Sequence, residues 1–170
     1  DVEVPVIKPN VGGSVYFDER LVPHIFAEDD QSLYFMQGYV TAKYRLWQMD
    51  IQSRAAGGRL SEIFGDRFVA YDLEQRRMGM VYAAERNVEL WKADSALFGC
   101  LTSYADGVNA YIDEILNDGY EELPIEFKLL NYKPEPWTVL NSALLLQYMS
   151  STLTGYDDDK QFFIVQDSYI

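Results

Sequence analysis

His24 is the single histidine of the 170-residue sequence, so it is the one imidazole that the chain could offer as a base to a serine or cysteine nucleophile. A self-contained serine hydrolase needs a serine, a base and an orienting acid brought together. No serine stands in a G-x-S-x-G setting, and His24 follows Pro23 in a short strand or turn. A histidine held there by backbone or carboxylate for structural reasons is the commoner case. Zinc ligation is missing too, since one His and one Cys cannot fill a tetrahedral site. Cys100 lies near Leu97, Leu101 and Tyr104 on an apolar helical face and reads as a small buried hydrophobe. As the lone cysteine it forms no internal disulfide. The remaining cluster is Asp157-Asp158-Asp159. Adjacent carboxylates repel and prefer water or a hard cation; calcium takes such oxygens in flexible geometry, while a solvated turn is the commoner use of three loop aspartates.

The elements that must position these groups are mostly helices. Apolar residues at Leu33, Met36, Val40, Tyr44, Trp47 and Ile51 step by three and four along one helical face, opposite Lys43, Gln48 and Gln52. Asp29 or Asp30 can cap its amino end, Gly57-Gly58 can supply a left-handed turn at its close, and a short turn over Leu60 to Phe64 stops at Gly65. Asp72 is expected to cap a helix running to about Trp91 with Leu73, Met80, Ala84, Val88 and Trp91 inward. Asp94 or Ser95 opens another, with Leu97, Leu101, Tyr104, Val108, Tyr111, Ile112 and Ile115 inward and Asn117-Asp118-Gly119 closing it. A proline-rich connection from Leu123 to Trp137 leads to a last helix over roughly Thr138 to Thr152, whose run Ala143-Leu144-Leu145-Leu146 is apolar all round and so is expected to be buried on most faces. At the amino end, residues 1 to 13 read as an extended lead-in, and Val15 to Phe17 with His24 to Phe26 read as a hairpin across Asp18 to Leu21.

Composition bounds the function. At 48% hydrophobic the chain can build a real core, and a net charge of -13 argues against nucleic acid, which needs clustered Lys and Arg. The same acidity also suits a plain solvated surface. No apolar run approaches the ~20 residues that cross a bilayer. No repeat, low-complexity tract or linker divides the chain. A start at Asp1 rather than Met fits removal of an export leader, and trimming of any kind looks the same.

The wording of Gly38 to Gly65, GYVTAKYRLWQMDIQSRAAGGRLSEIFG, is more particular than packing requires. It resembles the penicillin acylase family of N-terminal-nucleophile hydrolases, which carry a run like GYVHAQDRLWQM followed by GRLSEIFG. Further blocks follow in family order. Asp18 to Ile25 resembles D-x-x-G-V-P-H-I, Asp72 and Arg76 fit D-x-x-x-R, and Tyr104 to Tyr111 fits Y-A-D-G-x-N-A-Y. Leu123 to Phe127 and Pro134 to Trp137 fit L-P-x-E-F and P-x-x-W. The departures are specific. Leu21 stands where the family usually has Gly, so a positive φ there would strain it. Thr41, Lys43 and Tyr44 replace His, Gln and Asp, which removes a partner for Arg45.

The resemblance implies an α+β fold, the αββα sandwich of N-terminal-nucleophile hydrolases completed with a β subunit. This chain is then mostly α-helical with a small N-terminal strand element, and residues 1–170 form a single unit, the α subunit of a processed heterodimer not expected to be an independent domain. In such enzymes the first residue of a processed chain attacks and its own α-amine takes the proton. Asp1 has no hydroxyl or thiol, so by the resemblance the nucleophile is the β subunit's first residue, usually Ser, and this chain has no catalytic residue. The family's acyl site takes a Met, an Arg and a Phe from the end of the last α-subunit helix. With the Met on Met149, the Arg falls on Thr152 and the Phe on Leu153, which leaves room for a flexible aliphatic chain. Its calcium site takes one acidic ligand from this region, which falls on Asp159, or on the non-ligating Lys160 if the gap shifts. The implied protein is a periplasmic or secreted hydrolase of linear N-acyl amides, with structural calcium and no organic cofactor. An acyl-homoserine-lactone or lipopeptide acylase of the same family, and a non-catalytic helical binding protein on this scaffold, are the alternatives.

Overall fold

A computed structural model describes residues 2–3, 11–118 and 123–154. A small antiparallel sheet is built from β1 (Val2–Glu3), β2 (Gly13–Phe17) and β3 (Pro23–Ala27), in that order. Helices follow: α1 (Asp30–Gly57), α2 (Ser61–Phe64), a 3-10 turn at Asp66–Phe68, α3 (Val69–Arg77), α4 (Met80–Trp91), α5 (Ser95–Asp118), α6 (Ile125–Leu129) and α7 (Val139–Thr154). The described chain is thus mostly α-helical with a small N-terminal strand element.

The hairpin lies where the alternation of its residues puts it, with Val15 and Phe17 buried against α1 and Gly13 paired to Ala27 at the open end. Its turn is built on Asp18, whose Oδ1 accepts the amides of Arg20 and Val22, each at 2.9 Å. This local closure leaves Leu21 at φ 60, the left-handed region that glycine occupies without strain. The pairing of β1 on β2, Val2 opposite Phe17, lies inside the stretch expected to be a plain lead-in.

α1 starts where expected, with Asp29 Oδ1 accepting from the Ser32 amide at 2.7 Å, and ends at Gly58 in the left-handed conformation (φ 63). Its buried face differs from the expected one. Phe35, Tyr39, Ala42, Leu46, Met49 and Ser53 are buried, with Met36 and Val40 beside them; Tyr44 is 56% exposed, and Leu33, Trp47 and Ile51 are only half-buried. The reason is α5, which crosses α1 at two glycines. A Cβ on Gly38 would stand 2.1 Å from the Tyr104 carbonyl oxygen, and one on Gly107 1.9 Å from that of Phe35. The seam therefore follows small residues that permit backbone contact. One core cluster joins Ala42, Leu46 and Met49 to Val108, Ile112 and Ile115 of α5, and to Phe127 and Trp137.

The expected helix from Asp72 to Trp91 is two helices, broken where Gly79 takes φ 74. Leu73, expected inward, is 48% exposed. Asp72 caps α2 instead of its own helix, accepting the amides of Leu60 at 2.9 Å and Ser61 at 2.8 Å. Asp94 caps α5 as expected through the amides of Ala96 and Leu97, but Leu97, expected inward, is exposed and Cys100 is only half-buried. The proline-rich connection holds α6, which buries Phe127 completely. Gly119, Asp157 to Asp159 and the tail beyond Thr154 lie outside the described residues.

Candidate functional site

The sequence motifs form a set of clamps that fix the course of α7. Asn109 of α5 grips Trp137 from both sides: the Trp137 amide donates to Asn109 Oδ1 at 2.6 Å, and Asn109 Nδ2 donates to the Trp137 carbonyl at 2.8 Å. The indole Nε1 donates to Ser142 Oγ at 3.0 Å, and Asn141 Nδ2 donates to Ser53 Oγ at 2.9 Å, tying the first turn of α7 to α1. At the other end of the scaffold, Arg76 Nε donates to the Gly58 carbonyl at 3.0 Å while Asp72 holds the next turn.

Between these clamps lies a charged hub, drawn from the Gly38 to Gly65 and Pro134 to Trp137 stretches, whose pairing the motifs did not reveal. Arg54, only 5% exposed, donates from Nε to Asp50 Oδ2 at 3.0 Å and from Nη1 to Glu62 Oε2 at 2.8 Å, with Nη2 3.1 Å from Glu135 Oε1. Tyr132 donates its hydroxyl to the same Asp50 oxygen at 2.7 Å and lies under the guanidinium. Arg59 closes the network with bonds to both Glu62 and Glu135. Burial works against the Arg54 charge, but the Asp50 carboxylate outweighs it and holds the pKa above the usual value. The hydrogen bond from Arg59 holds the Glu135 carboxyl below the usual range. A buried arginine satisfied on every side orients segments and has no free group for chemistry. Its sequence signal was the Asp50 to Arg54 spacing just before Gly57-Gly58.

α7 rests its inner face on alanines: Ala143 and Leu144 pack against Ala56 of α1 and Ala84 of α4. Its other side is bare. Leu146, Met149 and Leu153 are 46%, 59% and 74% exposed, and at spacings of three and four they form one stripe. The described chain by itself thus buries only one side of α7, and the apolar run on the other side is a surface left for a partner chain to cover if it is covered at all. The structure brings Met149, Thr152 and Leu153 together on the final turns of α7; Thr152 is exposed, its hydroxyl donating to the Tyr148 carbonyl at 2.9 Å. Leu146 extends the same stripe one turn back and was concealed in the sequence by the apolar run around it. Asp159 lies outside the described residues.

The other chemical candidates stay apart. His24 Nε2 is 3.6 Å from Asp18 Oδ2 on the exposed side of the hairpin. The Asp18 carboxyl, held below its usual range chiefly by the Val22 amide, serves the turn. A cleft of about 330 Å³ is lined by Lys43, Tyr44, Arg45, Trp47, Pro124 and Glu126, with no serine, threonine or cysteine among its lining residues. Among the described residues no ion pair of Arg45 replaces the one lost with its acidic neighbour, and no group of three or more His, Cys, Asp or Glu side chains could hold a metal. No helix among them is long and apolar enough to cross a membrane.

Comparison with known proteins agrees with the motifs. A profile described as penicillin amidase matches residues 13–166. Penicillin G acylase of Escherichia coli is 32% identical over 128 residues, 75% of this chain and 15% of that protein. The penicillin acylase 2 proenzyme of a Pseudomonas strain is 36% identical over 126 residues, 74% of this chain and 15% of that protein. An acyl-homoserine lactone acylase of Pseudomonas aeruginosa is 33% identical over 68% of this chain and 13% of that protein. The chain therefore spans about 15% of the length of the curated relatives it matches. In three dimensions, a thermostable penicillin G acylase from Alcaligenes faecalis superposes with a TM-score of 0.78 at 25% identity, covering 99% of this chain and 83% of that one.

Proposed function

Because this chain belongs to the penicillin amidase family, we propose that it is the α subunit of an N-acyl amide hydrolase, shaping the acyl pocket of an enzyme whose nucleophile sits on a β subunit cut from the same precursor. The observation that carries this reading is the bare stripe of Met149 and Leu153 at the end of α7, where the family motif puts acyl-lining residues. Coverage supports the two-chain part. The chain accounts for 83% of a solved acylase chain but about 15% of the curated sequences, the disparity that a short chain cut from a long precursor produces.

The chemistry follows from that division of labour. The hydroxyl of the β subunit's first residue attacks the amide carbon while its α-amine takes the proton; the tetrahedral oxyanion collapses, and the amine leaves with a proton. Water then attacks the resulting ester, and the acid departs. This chain contributes no atom to these bonds. It holds α7 so that Met149, Thr152 and Leu153 meet the acyl group, and the two chains together complete the αββα sandwich. Export to the periplasm or beyond is part of the same reading. So is a calcium ion between the subunits: Asp159, with Asp157 and Asp158 beside it, offers hard oxygen donors, and calcium's six to eight ligands require the rest from elsewhere.

The acyl group we assign is aliphatic. Where the family has an Arg and a Phe, this chain has Thr152 and Leu153, so both the charge and the ring of the gate are gone. The relatives include acyl-homoserine lactone acylases as well as penicillin acylases, which keeps both amine classes in view. The processed complex, given amides from phenylacetyl to long straight-chain acyl groups, is expected to turn over the aliphatic set faster. Cleavage of phenylacetyl amides alone would overturn the acyl assignment, and no cleavage of any amide would overturn the enzyme.

A further inference from the structure

The cleft of about 330 Å³ between α1 and the start of α6 takes no part in the proposed function. Two of the residues that line it, Lys43 and Arg45, are cations that form no ion pair among the described residues. Lys43 is half-buried, and its ammonium lies over the ring of Tyr39, 5.9 Å from the centroid. The Glu114 carboxylate, which that ring reaches, accepts the Tyr39 hydroxyl at 2.5 Å and leaves Lys43 unpaired. The acid in the lining is Glu126, half-buried and also outside any ion pair among the described residues. Lys43 and Arg45 against Glu126 leave the lining at a net +1, on a chain whose net charge is -13. A cleft that reverses the sign of the surrounding surface concentrates the opposite ion, here an anion.

The rest of the lining says which kind of anion. Tyr44 is exposed to the cleft side yet held from behind by Phe17, ring centroids 5.5 Å apart. Trp47 is half-buried and held edge-on by Phe127 at 5.6 Å, with Tyr132 at 6.1 Å. Leu46, buried, lies between them in the sequence and also lines the cleft. Rings fixed by their own neighbours lose little freedom when a ligand covers them. A singly charged organic anion with an apolar body uses both the rings and the net charge, whereas a phosphate dianion meets the Glu126 carboxylate and leaves the rings unused. The departures from the family wording fall in this cleft. With Gln and Asp in place of Lys43 and Tyr44 its lining would be net -1, so the two changes together reverse its sign and add a ring.

We propose that this cleft is a binding site for an organic carboxylate, its charge balanced by Lys43 and Arg45 and its apolar body set against Tyr44 and Trp47. The site is lined by α1 and α6 residues and shares none with the stripe on α7, so it does not rest on the proposed function. It is tested on the complex made from the full-length gene with fluorotryptophan in place of tryptophan. The fluorine resonance of Trp47, identified as the one lost in Trp47→Phe, reports on this cleft and not on a ligand bound elsewhere. Titration with octanoate or phenylacetate is expected to move it saturably, with a dissociation constant of about 1 mM or below, while octanol and phenylethanol, which lack the charge, leave it in place. Lys43→Gln with Tyr44→Asp is expected to weaken the carboxylate response at least about tenfold. Lys43→Met, which keeps an apolar stem on the Tyr39 ring, removes the charge with the least disturbance and is expected to weaken it about fivefold or more. No movement with either carboxylate, equal movement with the alcohols, or an undiminished response in Lys43→Met would overturn the proposal. A complex that cleaves no acyl amide would sink the proposed function and leave this resonance's behaviour unaffected.

Discussion

At the scale of single residues, the departures and the motif positions have opposite energetic signs. Leu21 is held at φ 60 with its side chain 77% exposed, so its conformation costs energy and its contacts return little. Leu21→Gly is expected to stabilise the complex by about 1 kcal/mol, after the greater flexibility of glycine in the unfolded chain is set against the relief of strain, read as a rise in thermal midpoint. Asp72 behaves in the reverse way. Burial raises its pKa, but the Ser61 side chain, the Ser61 and Leu60 amides and the nearby Arg76 outweigh burial and hold it below the usual carboxylate value. A depressed folded pKa gives stability that is present above the unfolded value and lost as pH falls through the folded one, so this contribution disappears below about pH 4. Asp72→Asn is expected to cost about 1–2 kcal/mol at neutral pH and to flatten the acid limb of the unfolding curve there. An equally steep acid limb in the variant would show that other carboxylates govern it.

At the scale of elements, the α1–α5 crossing is the part least tolerant of change. Gly107→Ala puts a methyl carbon 1.9 Å from the Phe35 carbonyl oxygen and 2.9 Å from the Tyr39 amide nitrogen, both backbone atoms that cannot swing aside. The helices must separate, and a loss of about 3 kcal/mol or more is expected by denaturant titration of the complex. The same crossing explains what could be read in advance. Helix starts were legible because Asp29 and Asp94 carry their capping chemistry in their own side chains. The face of α1 was not, because Gly38, Ala42 and Ser53 line it, and pattern reading follows large apolar residues. Tyr44 fitted the helical step yet lies outside, against Phe17 of the hairpin. Asp72 was read as a cap correctly in kind, but its partner twelve residues upstream is a tertiary fact.

At the scale of the whole molecule, the described chain has an inner half that is finished and outer surfaces that are not. Several of the motif residues that mark the family are clamps, Asn109 and Trp137 being joined by two hydrogen bonds. The outer side of α7 is less legible: Leu146 sits inside an apolar run, and only the packing of α7 on alanines shows which side of it is bare. The proposed calcium belongs to this scale because it would join two chains. Removing it with EGTA is expected to lower the thermal midpoint of the complex by several degrees, with recovery on adding calcium but not magnesium, and Asp159→Asn is expected to blunt the response. No change on chelation would remove calcium from the assembly. The two-sided character of α7 has a consequence for how such enzymes diversify. Its inner contacts are made by Leu140, Ala143, Leu144, Leu145 and Tyr148, and its outer stripe by Leu146, Met149 and Leu153, so the two sets share no side chain. Substitutions along the outer stripe can therefore accumulate without disturbing the contacts that seat α7, so what that surface meets and how the helix is held are free to change independently.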